Sequence, residues 1–192
     1  LCFSEGFNPH PKMTFGGPLS VGVGSMYEVM EVEIEKPINY DDFVKRFNAT
    51  APKGLAIVKF YLVGKTQSLM SAMALATYQV VLERKPGQEA FDLDQAFQNT
   101  PEIILRKKNK KHRWVEKDLK PFIKAMEVLE KSEACEVYRL SILSSPDGSA
   151  KPQQIVALLL QAREDLDVDA VEVLRTGLFY EEDGYYKPLA EL

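Results

Sequence analysis

Hydrophobic and polar residues follow two recognisable patterns in the first third of the chain. Between positions 30 and 35 apolar residues alternate with glutamates, which predicts a strand with one buried face. Pro37 ends this strand, Asn39 is placed to cap a helix, and apolar residues recur at helical spacing over 40–47. The run LAIVKFYLVG at 55–64 is rich in β-branched and aromatic residues, so a second strand is predicted there.

The chain from Thr77 onward alternates strand-like and helix-like patterns in a regular order. Pro121 interrupts any helix in 118–130 and makes that stretch ambiguous. In chain order the other predictions are a strand at 77–84, a helix at 91–98, a hairpin at 102–116, a strand at 136–143, a turn at 145–149, a helix from Pro152, a strand at 171–180 and a hairpin turn at Asp183 and Gly184. The helices carry apolar stripes at Leu93, Ala96 and Phe97, and at Ile155, Leu158, Leu159 and Ala162.

This order predicts an α+β fold of two tandem ferredoxin-like (split βαβ) units with antiparallel sheets. Residues 77–192 form the second unit and end in a hairpin. Residues 1–66 form the first unit, which is N-terminally truncated: with a short strand at 12–15 it lacks only an initial strand and helix. Residues 67–76 are the linker, and we expect their methionines and alanines to pack between the two halves. The chain begins with Leu1 rather than Met, so we expect an upstream segment.

Composition narrows the functional classes. The 192 residues carry a formal net charge of -4, so any binding to nucleic acid must come from a local patch. Cys2 and Cys135 fit no metal-ligand spacing, and we therefore expect no metal, no cofactor and a reducing, cytoplasmic environment. The apolar runs are shorter than the roughly 20 residues that cross a bilayer, and no signal-peptide pattern is present. We expect no contact with a membrane.

The opening stretch, SEGFNPHPKMTFGGPLSVGV, is rich in proline and glycine. Pro9 and Pro11 hold the residues before them in extended conformations, so polar side chains are presented by a rigid loop. The candidate ligand-binding or anion-binding residues are Ser4, Glu5, Asn8, His10 and Lys12, together with Arg175 if its strand approaches this loop. The glycines match no phosphate-loop pattern, so a nucleotide site is not indicated.

Alternatives to a ligand site stay open here. In one, two polar residues tie the loop to a sheet and three apolar residues fill the core; these are Asn8 and His10, and Phe7, Phe15 and Leu19. In another, His10 is a general base, although no nucleophile or paired carboxylate is fixed beside it by spacing. For Arg175 the alternative is a buried salt bridge to Glu172 or Asp118.

A dense basic run lies in the predicted hairpin at 102–116. Its candidate RNA-binding residues are Arg106, Lys107, Lys108, Lys110, Lys111 and Arg113, with Trp114 beside them. Clustered cations are the electrostatic footprint of phosphate binding, and a tryptophan can stack on a base. The alternative is a solvated hairpin tip whose lysines protect an edge from aggregation while Trp114 lies in the core.

Several motifs together resemble a known family. The opening stretch SEGFNPHPKMTFGGPLSVGV is followed in order by SLMSAMALATYQV, KKHRWVEKDLKPFI and VLRTGLFY, and this combination is similar to the bacterial radical SAM-linked proteins, a family of unknown function. The resemblance covers nearly the whole chain. It implies a radical SAM protein as partner and an accessory or substrate-recruiting role; the three-cysteine cluster motif of the radical SAM enzymes is absent from this sequence.

Taken together, the residues and the resemblance predict a non-catalytic accessory domain. It would act with its radical SAM partner on RNA or a ribonucleoprotein held by the basic hairpin, and DNA is not expected as a ligand. The competing hypothesis is a protein-interaction module with no RNA contact. A minor alternative is an RNA-processing enzyme that uses the His10 loop.

Overall fold

The computed structural model describes residues 1–64, 67–145, 148–161, 163–167 and 170–192. Over these residues the chain is an α+β fold with one six-stranded mixed sheet, two two-stranded sheets and few helices. The strands are β1 (Met13–Phe15), β2 (Gly24–Ser25), β3 (Met30–Val32), β4 (Met73–Glu83), β5 (Ile104–Lys108), β6 (Trp114–Asp118), β7 (Ile123–Lys131), β8 (Cys135–Leu143), β9 (Glu172–Glu182) and β10 (Tyr185–Pro188). The helices are α1 (Tyr40–Thr50), α2 (Leu69–Ala72), α3 (Leu93–Asn99) and α4 (Pro152–Leu159). In the described part of the chain, no helix is both long and apolar enough to cross a membrane.

The six-stranded sheet forms the centre of the molecule. Five of its strands lie in the order β10-β9-β4-β8-β7, each antiparallel to its neighbours. The sixth, β2, pairs in parallel with β9 at Gly24 and Ser25, on the edge of β9 that β10 occupies further along. The prediction of antiparallel sheets is therefore wrong for β2, because this strand reaches β9 from a distant part of the chain instead of through a hairpin.

One face of this sheet is covered by α3 and α4. Alternate residues of β4 and β8, such as Val80 and Tyr138, pack with Leu93 of α3 and with Ile155 and Val156 of α4. This layer holds most of the buried apolar residues. Burying an aliphatic or aromatic side chain of this size contributes about 1.5–3 kcal/mol to the free energy of unfolding, so the layer is the main source of hydrophobic stabilisation. The predicted stripes of both helices are confirmed as core-facing, except that Ala162 lies outside the described residues.

A second, smaller core joins the opening third of the chain to the main sheet. Leu69, Leu178 and Leu189 are buried together, and Tyr27 and Val29 pack against them. Residues 16 and 17 come so close to this region that a Cβ added at Gly17 would lie 2.6 Å from the sulfur of Met73. The stretch 67–76, predicted as a linker, contains α2 and the first residues of β4; the domain boundaries at 66 and 77 stay predictions.

The run at 55–64 forms no strand, and that prediction is wrong. A strand needs a partner for its backbone groups, and here a side chain takes that place: the Asn48 carboxamide accepts from the Ile57 N–H at 2.8 Å and donates to the Ile57 carbonyl at 3.4 Å. The ring of Phe60 packs against Tyr40 and Phe43 of α1. The segment is thus held by α1 while Val58 and Leu62 stay exposed.

The other local predictions agree with the structure, with changes at the boundaries. The Asn39 side chain caps α1 by accepting from the backbone N–H of Asp42. The short strand at 12–15 is confirmed as β1, which pairs with β3, shortened to three residues. The ambiguous stretch becomes a 3-10 turn at Lys120–Phe122 followed by β7. In the turn at 145–149, residues 146 and 147 lie outside the described part, and Ser145 and Gly148 exchange backbone hydrogen bonds.

Candidate nucleic-acid interface

The basic hairpin, β5 and β6, is a two-stranded sheet that is anchored at its base. There Ile103 and Leu119 are buried in the main core and the Leu119 N–H donates to the Ile103 carbonyl at 2.8 Å. The carboxylate of Asp118 accepts from the N–H groups of Ile103 and Lys120 at 2.8 and 2.9 Å. Because the base is fixed and the ladder continues outward, the tip is presented away from the core.

Asn109 organises the tip of the hairpin. Its side-chain oxygen accepts from the N–H groups of Lys111 and Arg113 at 2.9 and 3.1 Å, as asparagine does in Asx turns. Its carbonyl accepts from His112, which adopts a positive φ of 58°. The turn is therefore built from backbone and one amide, which leaves the side chains of Lys110 and Lys111 exposed to solvent.

One face of the hairpin carries both an aromatic ring and charged side chains. Lys108 pairs with Trp114 in the register, and its ammonium lies 5.2 Å from the centroid of the indole. Arg106 pairs with Glu116 and forms a 2.6 Å salt bridge with it. Trp114 is 69% exposed, so the alternative that placed this tryptophan in the core is wrong: its strand is short and projects beyond the core that buries Ile103.

The cations of the hairpin differ in how they are compensated. Arg106 is neutralised by Glu116, whereas for Lys107, Lys110, Lys111 and Arg113 the described part of the chain shows no ion pair. Lys117 and Lys120, next along the chain, point elsewhere: Lys117 lies over the ring of Phe122, and Lys120 donates to carbonyls at the end of α3. Among the cations of the hairpin, those without an ion pair in the described structure thus lie at or near the tip.

The opening loop is closed on itself by its ends. The Ser4 N–H donates to the His10 carbonyl at 2.9 Å, and the His10 N–H donates to the Ser4 hydroxyl at 3.0 Å. Glu5 and Asn8 lie between them and are exposed. Lys12 forms a 3.0 Å salt bridge with Glu33, a hydrogen bond that raises the pKa of the lysine. Four of the candidates therefore share one exposed loop, and Lys12 already has an anionic partner.

The alternative in which this loop plugs the core is wrong. Phe7 is fully exposed, and Phe15 and Leu19 are exposed as well. The contacts that close the loop use the backbone of His10. The apolar residues that fill the second core come instead from the far side of the glycine pair, at Tyr27 and Val29.

Arg175 lies in the main sheet, 1% exposed, and binds a different part of the opening third. Its Nε and Nη2 donate to the Glu28 carboxylate at 2.9 and 2.6 Å, and its Nη2 and Nη1 donate to the carbonyls of Gly17 and Pro18 at 3.2 and 3.3 Å. The prediction of a salt bridge is confirmed, but the predicted partners are wrong: Arg175 pairs with Glu28 and not with Glu172 or Asp118. Each guanidinium nitrogen has an acceptor, so Arg175 acts as a clamp between segments.

A buried polar cluster at the start of α3 was not predicted from the sequence. The carboxylate of Glu136, fully buried on β8, accepts from the N–H groups of Phe91 and Asp92 at 2.6 and 3.0 Å and from the Tyr138 hydroxyl at 2.5 Å. Burial and this carboxylate raise the pKa of Tyr138. The cluster caps α3 from a neighbouring strand. The signal that could have revealed it is the position of Glu136, which shares the core face of β8 with Leu140.

The described residues show no group of three or more His, Cys, Asp or Glu side chains placed to hold a metal ion. The family comparison matches residues 1–152 to the family described as "Uncharacterized protein conserved in bacteria (DUF2344)". The chain belongs to this family. A search of curated proteins found no match.

Among solved structures, the chain is similar to one chain of the "Crystal Structure of a Cbf5-Nop10-Gar1 Complex". The identity is 15%, the TM-score is 0.47, and the similarity covers 90% of this chain and 42% of that chain. The chain thus spans less than half the length of that structural neighbour.

Proposed function

We propose that this chain is an accessory domain that binds RNA, or the RNA of a ribonucleoprotein, through the basic hairpin. The observation that carries the proposal is the exposed Trp114 beside Lys108, next to a tip whose cations lack ion pairs in the described structure. Phosphate binding draws on such uncompensated cations, and an exposed aromatic ring offers a stacking surface. Because the chain as a whole is acidic, this patch is where a polyanion would be attracted.

Charge reversal at the tip tests the proposal. Changing Lys107, Lys108, Lys110 and Lys111 to Glu should strongly weaken the retention of RNA and flatten its remaining salt dependence, because each neutralised phosphate of a single strand contributes about 0.7 to the slope of log K against log salt. The measurement is a filter-binding titration with oligoadenylate at several salt concentrations.

A matched control has the same change in net charge. Lys36, Lys45, Lys53 and Lys59 are exposed and lie elsewhere in the chain, so their reversal to Glu should weaken binding far less. If both quadruple variants retain RNA as the parent does, or lose it equally, the hairpin is not the RNA site.

The radical SAM partner is part of the same proposal, and its support is the resemblance of the sequence motifs. An accessory domain with an RNA site would bring substrate to such a partner, and the unpaired state of Cys2 and Cys135 fits a location in the cytoplasm. Crosslinking the tagged protein in its host, followed by identification of the bound proteins and RNAs, tests partner and ligand together. Recovery of RNA without any radical SAM protein would reject this part of the proposal.

We infer that residues 77–192 form a ferredoxin-like unit, since the strand order β9-β4-β8-β7 with α3 and α4 packed on one face supports the split βαβ plan. For the first half, β1, β3 and α1 supply only part of such a plan.

A second candidate function is a protein-interaction module. It is favoured by the number of exposed apolar side chains in the opening third, among them Phe7, Val21, Met26, Val58 and Leu62, since exposed apolar surface is what a protein partner covers. Binding of this kind would be insensitive to salt and to reversal of the hairpin lysines. The salt titration above therefore separates the two candidates.

A further inference from the structure

The hairpin presents its aromatic ring and its cations in different places. Trp114 lies on one face of the ladder, opposite Lys108, while Lys110 and Lys111 lie in the turn beyond it. Side chains two residues apart on a strand share a face, so Arg106 and Glu116 follow Trp114 on that face and neutralise each other. Away from the tip, this face is therefore electrically balanced, and its distinctive group is the indole.

An exposed indole selects for unpaired bases. In a duplex the bases are already stacked on one another, and the deep, narrow major groove of A-form RNA keeps side chains from them. An unpaired base has a free π-face that an aromatic side chain can stack on without breaking base pairs. Trp114 is 69% exposed even with the Lys108 ammonium 5.2 Å from the ring centroid. Part of the indole surface is therefore accessible to a base.

We infer that the substrate class of the basic hairpin is single-stranded RNA, with an unpaired base stacked on Trp114 while the cations of the tip bind the adjoining phosphates. This inference rests on the proposed function and specifies it. Within the hairpin, Lys110, Lys111 and Arg113 at the tip provide the affinity that depends on salt, and Trp114 provides the preference for unpaired strands.

Trp114 is the single tryptophan of the 192 residues, so its fluorescence reports on the site directly. The probe is an oligoadenylate of about 12 nucleotides, compared with the same strand annealed to oligouridylate. We expect the single strand to quench the emission and to shield the indole from acrylamide, and the duplex to do neither. The Trp114→Phe variant keeps a ring, should retain most of the affinity, and should lose the quenching signal.

The affinity of the Trp114→Ala variant completes the test. Loss of one stacked base should weaken oligoadenylate binding about tenfold while the slope of the salt dependence stays that of the parent, because no phosphate contact is removed. Far-ultraviolet circular dichroism checks that the fold is retained. The inference would be overturned if the slope changed in Trp114→Ala and RNA left the fluorescence of the parent unchanged. Trp114 would then act by positioning the tip.

Failure of this inference is distinguishable from failure of the proposed function. Equal binding of duplex and single strand, or Trp114→Ala binding as the parent does, overturns the preference for unpaired RNA while salt-sensitive binding through the tip lysines still stands. Binding that ignores reversal of those lysines overturns both.

Discussion

At the scale of single residues, the clamp between Arg175 and Glu28 joins positions 147 apart in sequence. The guanidinium of Arg175 is buried, whereas the Glu28 side chain is 31% exposed. Charges in this situation cost desolvation energy that their partners must offset. The pair is thus more sensitive to the loss of one partner than to the loss of both.

Glu28→Gln should therefore destabilise the protein by about 3 kcal/mol, the lower end of the range for breaking a buried pair, because Glu28 is partly exposed. The double variant Glu28→Gln, Arg175→Met should be destabilised by less than the sum of the single changes. Urea unfolding of the four proteins measures this coupling.

The control for that cycle is the exposed pair of Arg106 and Glu116. There Glu116→Gln should cost at most about 1 kcal/mol. A cost for Glu28→Gln as small as that of Glu116→Gln would show that the clamp contributes little to stability.

At the scale of elements, α3 is held at its first turn by groups from other strands. Glu136 and Tyr138 of β8 bind its leading N–H groups, and Lys131 of β7 binds Asp92 and Asp94 at 2.8 and 2.7 Å. Burial works against ionisation of Asp94, but its bonds to Lys131 prevail and lower its pKa, and bonds to the two aspartates raise the pKa of Lys131.

These shifts predict a pH window for the contribution of Lys131. A carboxyl whose pKa is lower in the folded protein adds stability above its ordinary value of 3.8 and loses it as the pH falls through the folded pKa. A lysine whose pKa is raised adds stability below 10.5 and loses it as the pH rises beyond that value.

Lys131→Met should accordingly lower stability by about 1 kcal/mol near neutral pH, as expected for a partly exposed cluster. The difference from the parent should shrink both in acid and in strong alkali, which urea unfolding at a series of pH values would reveal. A difference independent of pH would assign the effect to the packing of the lysine stem.

At the scale of the whole molecule, stability is distributed unevenly. The strands β4, β8 and β9 are paired on both sides over much of their length. In the described structure, the contacts of the segment 55–63 are the Asn48 side chain, one backbone hydrogen bond from Leu55 to Pro52 and the packing of the Phe60 ring. Local opening costs least where buried contacts and backbone hydrogen bonds are few. The opening third and the main sheet should therefore differ in protection.

Hydrogen exchange measured by mass spectrometry should show slow exchange in β4 and β8 and fast exchange throughout 55–63. The exceptions are the Leu55 amide, bonded to the Pro52 carbonyl, and the Ile57 amide, bonded to Asn48. The Asn48→Ala change should release the Ile57 amide. Protection of the whole segment at the level of β8 would mean that it is paired in solution.

Local patterns predicted what depends on neighbours in sequence. The strand at 136–143, the stripes of α3 and α4, and the hairpin of β5 and β6 were all predicted, because period and turn chemistry are properties of short segments. The exposure of Trp114 depends on how far the hairpin projects, and the partner of Arg175 depends on a segment 147 residues away. The run at 55–64 has the composition of a strand, but composition does not supply the second strand that pairing requires.

The parallel pairing of β2 with β9 has a consequence for how the protein is made. Residues 24 and 25 leave the ribosome long before Leu174 and Arg175, their partners, and at 5–20 residues per second the interval is roughly 8–30 s. During that time the glycine-rich opening and the apolar side chains near it have no completed sheet to dock on. Chaperones that shield nascent chains should therefore engage this region, and slowing translation within residues 30–170 should lengthen that engagement.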